Sequence, residues 1–575
     1  MFRENEQHRQ QSFFSSTSLL PDKLRDKLKQ SWAETFYQEV FCRLDETIFA
    51  PLYSQEYSRP NAPVNILVAL EVLKSGFGWS DEELHEQACF NLQVRHALGL
   101  DDLRAEVFTL RTIYNFRQAV REYEKKTGID LMRQAFEQIT DEHLQLVGLA
   151  AGWQRMDSTQ VLSNLAKMKR LELLLAVLQT VYQQLPENLQ QHWGQRWSAY
   201  REGRPHQICY KTPKAEVEGH LLAIGRELAA LEQELSRQAP DHAALALLQR
   251  VLAEQYERDQ EGTVQLRPPD EVGTDSLQSP HDPEATYRVK GGKSFRGGYV
   301  VNVSETAAPE NPLQLITDVQ LEPNVTDDAV LLAQALDDQA RRGITVTKVT
   351  TDGGYTGEQA ESACQKHQVE LRATRMRGGR STPPRWGWEE YTWELDDEGQ
   401  PTHVTCPRGC RVPLLPGKGT ERFVGRFEPE TCATCPYLKE ICRIQLRKQA
   451  GPSLYVKLRS IMGARQRQRL HPEDTPIRVL AESTIWSLKH GFPNHKLPVR
   501  GLIRARMIIY GAALMVNLRR LHRYLLEKRE TAAQKAAFSL SWLKAAFCRC
   551  WQRIHGHFSR VAPNLARQYS PSALG

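Results

Sequence analysis

The sequence predicts an α/β protein in which a mixed sheet follows an all-α N-terminal domain and is interrupted by a helical insertion and a small Cys-rich β insertion. Two β-prone runs each carry an aspartate, Asp157 and Asp352. Leu and Ala recur at helical spacing over residues 165–275, and five cysteines are grouped between Cys406 and Cys442. A period of 3.6 predicts helices, whereas short runs rich in Val, Ile and Thr predict strands.

Composition places the chain among ordinary globular proteins. Of its 575 residues, 41% are hydrophobic and 25% are charged. The net charge is only +6, from 75 basic and 69 acidic residues, so overall charge does not by itself indicate nucleic-acid binding, although basic residues crowd the C-terminal third. No apolar run reaches the roughly 18 residues of a membrane span, and the N-terminus lacks a signal-peptide core. We therefore expect a cytoplasmic protein with no membrane contact.

Helical patterns dominate the region before the first aspartate. One helix opens with a capping box, in which Ser80 is followed three residues later by Glu83. The next helix, FTLRTIYNFRQAVREYEKK, carries Arg111, Asn115 and Arg117 among apolar residues. Short helices that end in a basic, polar helix are typical of a helix-turn-helix reader of the major groove. An ordinary helical bundle with solvated arginines explains the same pattern, so these residues alone leave both interpretations open.

A helical insertion is predicted after the first aspartate, which lies in the β-prone run GWQRMDSTQVLSN. The stretches LELLLAVLQTVYQQL and GHLLAIGRELAALEQELSRQ repeat Leu and Ala at helical spacing with charges opposite. We expect a hairpin of helices that serves packing or dimerisation and carries no chemistry.

Two strands are predicted next, in TYRVKGGKSFRGGYVVNV and LQLITDVQLEP. The first is entered through a glycine-rich turn that holds Lys290, Lys293 and Arg296. Such a turn is most often a hairpin, and a grip on a phosphate group is the alternative. Asp327 is predicted to cap the helix DAVLLAQALDDQARR that follows.

The second aspartate ends a strand. In GITVTKVTTDGGYTGEQA, Asp352 follows a run of Val and Thr and is followed by two glycines. Open α/β sheets place ligand-binding groups at the carboxyl ends of their strands. We therefore expect Asp352 to face a site.

A late helix carries the third acid. In TPIRVLAESTIWSLKHGF, Thr475 suits an N-cap and Pro476 a first helical position. Offsets of four and seven residues place Arg478, Glu482 and Lys489 along one side of the helix. A solvated face with local ion pairs is the alternative reading of these charges.

The second insertion contains two groups of cysteines, one of which has C-x2-C spacing. Two such groups fit a small tetrahedral zinc site that fixes a segment too short for a core of its own. Free cysteines in a small β insertion, or an iron–sulfur cluster, remain alternatives. The five cysteines are Cys406, Cys410, Cys432, Cys435 and Cys442.

The three acids in these contexts resemble the DDE superfamily of insertion-sequence transposases. MDSTQV supplies the first Asp and TTDGGYTG the second, while RVLAESTIWSLK matches the family signature R-x3-E-x6-K through Arg478, Glu482 and Lys489. The position three residues before the Arg, often Tyr in this family, is Thr475 here. The predicted order of strands and helices likewise matches an RNase H-like core that is interrupted after its first strand.

The resemblance implies a metal-dependent active site. Asp157, Asp352 and Glu482 would hold two Mg²⁺ or Mn²⁺ ions, since carboxylate oxygens are the ligands that hard cations prefer. The expected activity is cleavage of double-stranded DNA at the element's terminal inverted repeats, followed by strand transfer into target DNA. Two element ends imply a homodimer or a larger synaptic complex, acting in a bacterial cytoplasm at the nucleoid.

The resemblance also assigns DNA contacts and a zinc site. Arg478 and Lys489 would hold the backbone beside the scissile phosphate. The grouping of one Cys, then C-x2-C-x6-C, favours Cys406, Cys432, Cys435 and Cys442 as structural zinc ligands and leaves Cys410 out. The further DNA-binding candidates are Arg111, Asn115 and Arg117 in the N-terminal helices, Lys293 and Arg296 in the glycine-rich turn, and Arg504 near the end of the core.

The predicted organisation follows from these assignments. Three alternatives stay open: an RNase H-fold nuclease that cuts without joining, a transposase-derived DNA-binding regulator that does not cut, and a structural zinc protein with unrelated acids. The predicted divisions are a flexible N-terminus (1–20), a helical DNA-binding domain (21–150), an RNase H-like catalytic domain (151–526) interrupted by a helical insertion (165–275) and a Cys-rich insertion (376–472), and a basic C-terminal tail (527–575).

Overall fold

A computed structural model provides the structure of the chain. It describes residues 1–9, 15–54, 60–259, 263–376, 385–396, 398–419, 421–438, 440–447, 451–532 and 534.

The N-terminal region is helical, as predicted. The capping box is confirmed, because Ser80 accepts the backbone N–H of Glu83 and the Glu83 carboxylate accepts that of Ser80. Most of this region packs into one core together with the last helix of the chain. The helices are α1 (Asp22–Lys29), α2 (Trp32–Phe36), α3 (Val64–Phe77), α4 (Asp81–Phe90), α5 (Leu92–Ala97), α6 (Leu110–Thr127) and α7 (Leu131–Val147).

The first residues differ from the predicted flexible N-terminus. Asn5 is buried, and its backbone N–H donates to Glu46 Oε1 at 2.8 Å. Its side-chain amide donates to Asn65 Oδ1 at 3.0 Å, and Ser16 forms a backbone hydrogen bond to Asp101. The polar composition suggested a solvated segment, but these polar groups satisfy buried partners on other elements. Residues 10–14 lie outside the described part of the chain.

A helical insertion follows the first core strand, β1 (Trp153–Leu162). It has its own hydrophobic core, which contains Leu174, Trp193, Trp197, Leu228 and Leu248. The insertion is more elaborate than the predicted helical hairpin. Its elements are α8 (Arg170–Gln184), α9 (Glu187–Arg196), α10 (Ser198–Arg201), α11 (Pro205–Lys211), α12 (Val217–Gln238), α13 (Ala243–Gln255) and the paired strands β2 (Tyr256–Arg258) and β3 (Val264–Leu266).

The central sheet is mixed, as predicted. Its strand order is β4-β5-β1-β7-β8, with β6 also paired to β5. Strand β1 runs antiparallel to β5 and parallel to β7, and β7 runs parallel to β8. The elements after the helical insertion are β4 (Thr286–Lys290), β5 (Lys293–Thr306), β6 (Ile316–Pro323), α14 (Asp328–Arg341), β7 (Lys348–Thr351), α15 (Glu358–Lys366) and β8 (Glu370–Ala373).

The Cys-rich insertion forms a second, antiparallel sheet with the order β13-β14-β12-β11-β10-β9. A small core that includes Tyr391, Trp393 and three of the cysteines lies against this sheet. Its elements are β9 (Thr392–Leu395), β10 (Pro401–Thr405), β11 (Arg411–Pro416), β12 (Arg422–Arg426), α16 (Pro429–Ala433), β13 (Gln445–Arg447), β14 (Gly451–Lys457) and α17 (Leu458–Gln468).

Helices cover both faces of the central sheet. On one face, Met156 and Val349 pack with Leu332 and Leu336 of α14 and with Ala360 of α15. The other face is covered by α18 (Thr475–Leu488) and by α19 (502–532), which share a core with the N-terminal helices.

The N-terminal helices and the rest of the core meet closely at α3 and α19. A Cβ added at Gly76 would lie 2.1 Å from Met515 Cγ, so only glycine allows the two helices to approach this far. The predicted C-terminal tail, 527–575, begins within α19, and residues 535–575 lie outside the described part of the chain. Among the described helices, none is long and apolar enough to cross a membrane.

Candidate active site

Two aspartates from neighbouring parallel strands meet at one edge of the central sheet. The pairing of β1 with β7 aligns Arg155 with Thr350. Continuing this register by two residues brings Asp157 level with Asp352. The parallel pairing therefore joins two acids that lie far apart in the sequence.

The charge of Asp352 affects the protonation of Asp157. Burial, followed by the nearby charge of Asp352, raises the pKa of Asp157 to about 6. Arg478 and Lys290 oppose this rise, as does the backbone N–H of Ser158, which donates to Asp157 Oδ1 at 2.9 Å. Because the opposing cations only partly offset the rise, the site favours a bound proton or an added cation.

The glycines after Asp352 shape the turn that holds it. Asp352 Oδ1 accepts the backbone N–H of Gly354 at 2.8 Å. A Cβ at Gly353 would lie 2.2 Å from the carbonyl oxygen of Arg375, and a Cβ at Gly354 would lie 2.5 Å from Asp328 Oδ2. The DGG sequence is thus required by close contacts on both sides of the turn.

A third aspartate, which the sequence analysis did not select, supports the site from the opposite face of β1. Asp328, the first residue of α14, accepts the Ser158 hydroxyl at 2.6 Å and is 3% exposed. Lys290 Nζ lies 3.2 Å from Ser158 Oγ and 3.9 Å from Asp328 Oδ2. Asp327, the predicted cap, occupies the N-cap position but its side chain makes no capping hydrogen bond. The adjacent acid pair at a helix start was the only sequence signal for this role.

The acid on α18 pairs with an arginine. The buried Arg478 guanidinium donates to the Glu482 carboxylate, and the Glu482 side chain is 57% exposed. The charge of Arg478 also lowers the pKa of Asp157, so this guanidinium acts on both Glu482 and Asp157. Thr475 was predicted as the N-cap, but Asp474 occupies that position and Thr475 is the first helical residue.

Lys489, which was predicted on the same side of the helix as Arg478 and Glu482, lies just beyond the end of α18. The α-helix ends at Leu488, and Lys489 begins a separate 3₁₀ turn that runs to Gly491. Its Nζ donates to Thr159 Oγ1 at 2.8 Å. Burial lowers the pKa of Lys489, and the charge of Asp157 opposes that shift. Lys489 therefore faces β1 beside the aspartate pair, although Glu482 is directed elsewhere.

A buried ion-pair cluster fixes α18 against the sheet. Glu305 on β5 is fully buried and accepts from Arg155 Nε at 2.7 Å, from Thr484 Oγ1 at 2.8 Å and from Arg520 Nη1 at 2.7 Å. These partners lie on β1, α18 and α19. One carboxylate thus sets the position of the helix that carries Arg478.

The donor set at the aspartate pair suits a hard cation. Two carboxylates lie side by side, and a nearby positive charge would restore the ionised form of Asp157. Glu482 is paired with Arg478 in this arrangement. In the parts of the chain that the structure describes, no three or more His, Cys, Asp or Glu side chains form a preformed metal-binding group.

The predicted DNA-binding residues of α6 separate into two kinds. Arg111 and Asn115 are exposed. Arg117 is not available for DNA, because its Nε lies 2.7 Å from Glu71 Oε1 and its Nη2 lies 2.8 Å from Asp81 Oδ1. These carboxylates, on α3 and α4, hold the pKa of Arg117 above its ordinary value despite burial. Arg117 therefore ties three helices together.

The glycine-rich turn is a hairpin. Gly291 and Gly292 join β4 to β5 with φ of 59° and 75°, values in the left-handed region that favours glycine. Lys293 and Arg296 are exposed after it, and Arg296 lies 5.2 Å from the ring centroid of Tyr287.

Arg504 on α19 is also exposed. Burial, followed by the charges of Arg121 and Arg117, lowers the pKa of Arg504. The neighbouring guanidinium groups form a basic area where α6 meets α19.

All five cysteines of the second insertion are close to one another. Burial, followed by Cys410, Cys442, Cys406 and Cys435, raises the pKa of the Cys432 thiol to about 11. The backbone N–H of Cys406 donates to the carbonyl of Cys410 at 2.9 Å, which closes a turn between them. Cys410 therefore lies near the four cysteines predicted as zinc ligands, although no three or more cysteines among the described residues form a preformed metal-binding group.

Comparison with known proteins gave one match, within the N-terminal helices. Residues 25–119 match the family described as Transposase domain (DUF772). The matched segment spans most of the N-terminal helices, including the exposed residues of α6. Neither the curated proteins nor the solved structures compared with the chain gave a match. Residues 25–119 are thus similar to a transposase domain, and this similarity supports a transposase in general. Within that class, the matched domain is consistent with an insertion-sequence transposase.

Proposed function

We propose that this chain is a DDE transposase that cleaves the ends of an insertion sequence and joins them to target DNA. The observation that carries the proposal is the pairing of Asp157 and Asp352 on parallel strands, in a chain that is similar to a transposase domain over residues 25–119. The strand order β6-β5-β1-β7-β8, with helices on both faces, supports an RNase H-like assignment for the core.

Asp157 and Asp352 would bind Mg²⁺, with Glu482 as the third ligand. When bound, two such ions would neutralise charge on the phosphate and activate the attacking oxygen. The structure supports the two aspartates directly, whereas Glu482 would have to leave Arg478. Its half-exposed side chain leaves room for that rotation. Manganese has the same preference for oxygen ligands.

Arg478 and Lys489 would bind the DNA backbone at this centre. The charge of Arg478 acts on both Glu482 and Asp157, and Lys489 Nζ lies beside Asp157 on the same side of β1. A guanidinium group released from Glu482 would be free to bind a phosphate oxygen. Phosphoryl transfer needs positioning and charge neutralisation more than covalent help, so these groups suffice.

The remaining DNA contacts are assigned by exposure. Arg111 and Asn115 would read the terminal repeat in the major groove, and Lys293, Arg296 and Arg504 would contact the backbone without reading sequence. Two element ends require at least two subunits. Such a protein acts in the bacterial cytoplasm at the nucleoid.

The cysteine group would hold a structural Zn²⁺ in the second insertion. Thiolates at C-x2-C spacing suit zinc, and the small core of this insertion benefits from a fixed point. Cys406, Cys432 and Cys435 would be three of the ligands. Cys410 and Cys442 compete for the fourth position, and zinc content of the two single serine variants would distinguish them.

The experiment that tests the proposal compares wild type with Asp157→Asn and Asp352→Asn on DNA that carries the element's ends. Each variant should lose Mg²⁺-dependent cleavage by at least about 1,000-fold, because a carboxylate ligand is removed from the centre of charge development. DNA binding should survive in both. Mg²⁺ should raise the Tm of wild type and leave that of Asp157→Asn unchanged.

The matched control is Asp337→Asn, which changes an exposed aspartate paired with Lys366 on the surface. It should cleave as wild type does. Full cleavage by Asp157→Asn would contradict the proposal. Pre-cleaved ends that give no joined product would instead show a nuclease without strand transfer, and DNA binding without any cleavage by wild type would show a regulator.

A further inference from the structure

A cleft opens where α18, α19 and the end of α3 meet. Its volume is about 450 Å³. It begins one helical turn beyond Glu482 on α18 and is separate from the aspartate pair. The side chains that characterise it are Phe77, Trp486, His490, Arg519, Arg520 and Arg523.

Trp486 gives the cleft an unusual aromatic wall. Its side chain is 71% exposed, and its ring centroid lies 5.9 Å from that of His490. Indole rings are rarely left in water at this level, because their burial is strongly favourable. Trp486 lies four residues after Glu482, about 6 Å along the helix axis. An exposed indole at this distance from the proposed catalytic centre indicates a ligand that stacks on it.

The arginines give the cleft a positive charge. Arg519 donates to the carbonyl of Gly76 at 2.6 Å and lies 5.9 Å from the ring centroid of Phe77, so it is fixed in place. Arg520 is held by Glu305. Arg523 is exposed and makes no ion pair within the described residues. The residues that line the cleft in this part of the chain include no aspartate or glutamate.

We propose that the cleft binds an unpaired nucleotide of the DNA, with the base stacked on Trp486 and the adjoining phosphate bound by Arg523. Inside a duplex both faces of a base are covered by its neighbours, and the terminal pair of a blunt end is held in place by its partner strand, whereas an unpaired base can leave the stack and lie fully on the indole. Aromatic stacking combined with arginine is the chemistry that single-stranded nucleic acid selects. This inference rests on the proposed function, because that function brings a DNA end to α18.

The test measures DNA binding by the full-length chain in EDTA, so that no cleavage is needed. The probes are a blunt DNA duplex and the same duplex with a short single-stranded overhang that carries a fluorescent adenine analogue. Wild type should prefer the overhang and quench the analogue. Trp486→Ala should weaken overhang binding about tenfold and leave blunt-duplex binding within about twofold, since stacking acts on the unpaired base alone. Trp486→Phe should keep most of the preference.

The matched control is Tyr210→Ala, which removes another exposed aromatic ring, 91% exposed, from the helical insertion. It should bind both probes as wild type does. Equal overhang binding by Trp486→Ala and wild type would overturn the inference, as would a wild type that shows no preference. Loss of dimers by Trp486→Ala in light scattering, with overhang binding unchanged, would show instead that a second copy of the chain covers the indole.

The proposal for the cleft and the proposed function are tested by independent outcomes. If Asp157→Asn still cleaves while Trp486→Ala loses the overhang preference, the cleft stands and the DDE assignment falls. If Asp157→Asn loses cleavage while Trp486→Ala binds normally, the reverse holds.

Discussion

Glu305 and Asp157 are two carboxylates on the same face of the central sheet, and the charges that surround them are of opposite sign. Glu305 on β5 receives hydrogen bonds from Arg155, Thr484 and Arg520, and two of these partners are cationic. Asp157 on β1 lies beside another carboxylate, and its pKa is raised to about 6 by burial and by that neighbour. Arg155 pairs directly with Glu305 across the strands, two residues before Asp157. On strand β1, Arg155, which has a counter-charge, therefore lies two residues before Asp157, which lies beside a like charge.

The difference separates structure from function. A buried carboxylate that serves packing is surrounded by donors, because an unpaired buried charge costs several kcal/mol. A pair of like charges destabilises the fold and is retained where a ligand needs it, which is why perturbed carboxylates mark functional sites. Glu305 thus belongs to the scaffold of α18, and Asp157 to the site that α18 covers.

The largest expected effect on stability comes from breaking the compensated cluster. Glu305→Gln leaves Arg155 and Arg520 without their counter-charge and should lower the free energy of unfolding by about 3 kcal/mol. Urea unfolding followed by circular dichroism measures it. The matched control is Glu370→Gln, which alters an ion pair with Arg372 whose glutamate side chain is 48% exposed. That change should cost less than about 1 kcal/mol. Equal losses of stability in Glu305→Gln and Glu370→Gln would contradict the difference between a buried and an exposed ion pair.

A change in the free energy of unfolding of the opposite sign is expected at Asp157, which lies beside a like charge. The folded state holds the Asp157 proton more tightly than the unfolded state, so the stability that protonation contributes is present below the ordinary pKa of 3.8 and is lost as pH rises through about 6. In EDTA near pH 8, Asp157→Asn should therefore be more stable than wild type by about 2 kcal/mol. Near pH 4 the difference should vanish, because wild type is then neutral at this position as well.

Asp337, an exposed aspartate whose pKa is lowered rather than raised, provides the control. Hydrogen bonds from Lys366 and His367 lower the pKa of Asp337, so its contribution to stability is present above its ordinary pKa and is lost as pH falls. Asp337→Asn should not stabilise the chain at high pH. A rise in stability for Asp337→Asn, or none for Asp157→Asn, in urea titrations at the two pH values would contradict the assignment of charge at the aspartate pair.

Local patterns predicted the elements but not their meeting points. Runs of β-branched residues identified the strands that carry Asp157 and Asp352, and the capping box at Ser80 fixed a helix start. The parallel register that brings the two aspartates together depends on long-range pairing, which no local pattern encodes. Asp328 escaped notice for the same reason, since its hydrogen bond to Ser158 joins residues that are distant in the sequence.

Helix periodicity does not show where a helix ends or which partners its side chains meet. The α-helix stops at Leu488, and the next residue, Lys489, donates to Thr159 on β1. Arg117, like Arg111, follows an apolar residue of α6, but its two carboxylate partners come from other helices. A single amphipathic pattern cannot tell a compensated arginine from a free one.

The smallest expected effects concern two arginines of α6, the exposed Arg111 and the paired Arg117. Arg111 is exposed, whereas Arg117 is bound to Glu71 and Asp81. Arg111→Gln should keep the stability of wild type and weaken binding to duplex DNA, and it should reduce the slope of log Kd against log salt by about 1, as one lost phosphate contact requires. Arg117→Gln should keep that slope and lower stability by about 2 kcal/mol, because it leaves the buried Glu71 without its cationic partner, while Asp81 keeps Lys74. Fluorescence anisotropy over a range of salt concentrations measures the slopes. A smaller slope for Arg117→Gln with unchanged stability would show that Arg117 contacts DNA. Ion pairing with carboxylates of other helices would then no longer distinguish a structural arginine from a DNA-binding one in this protein.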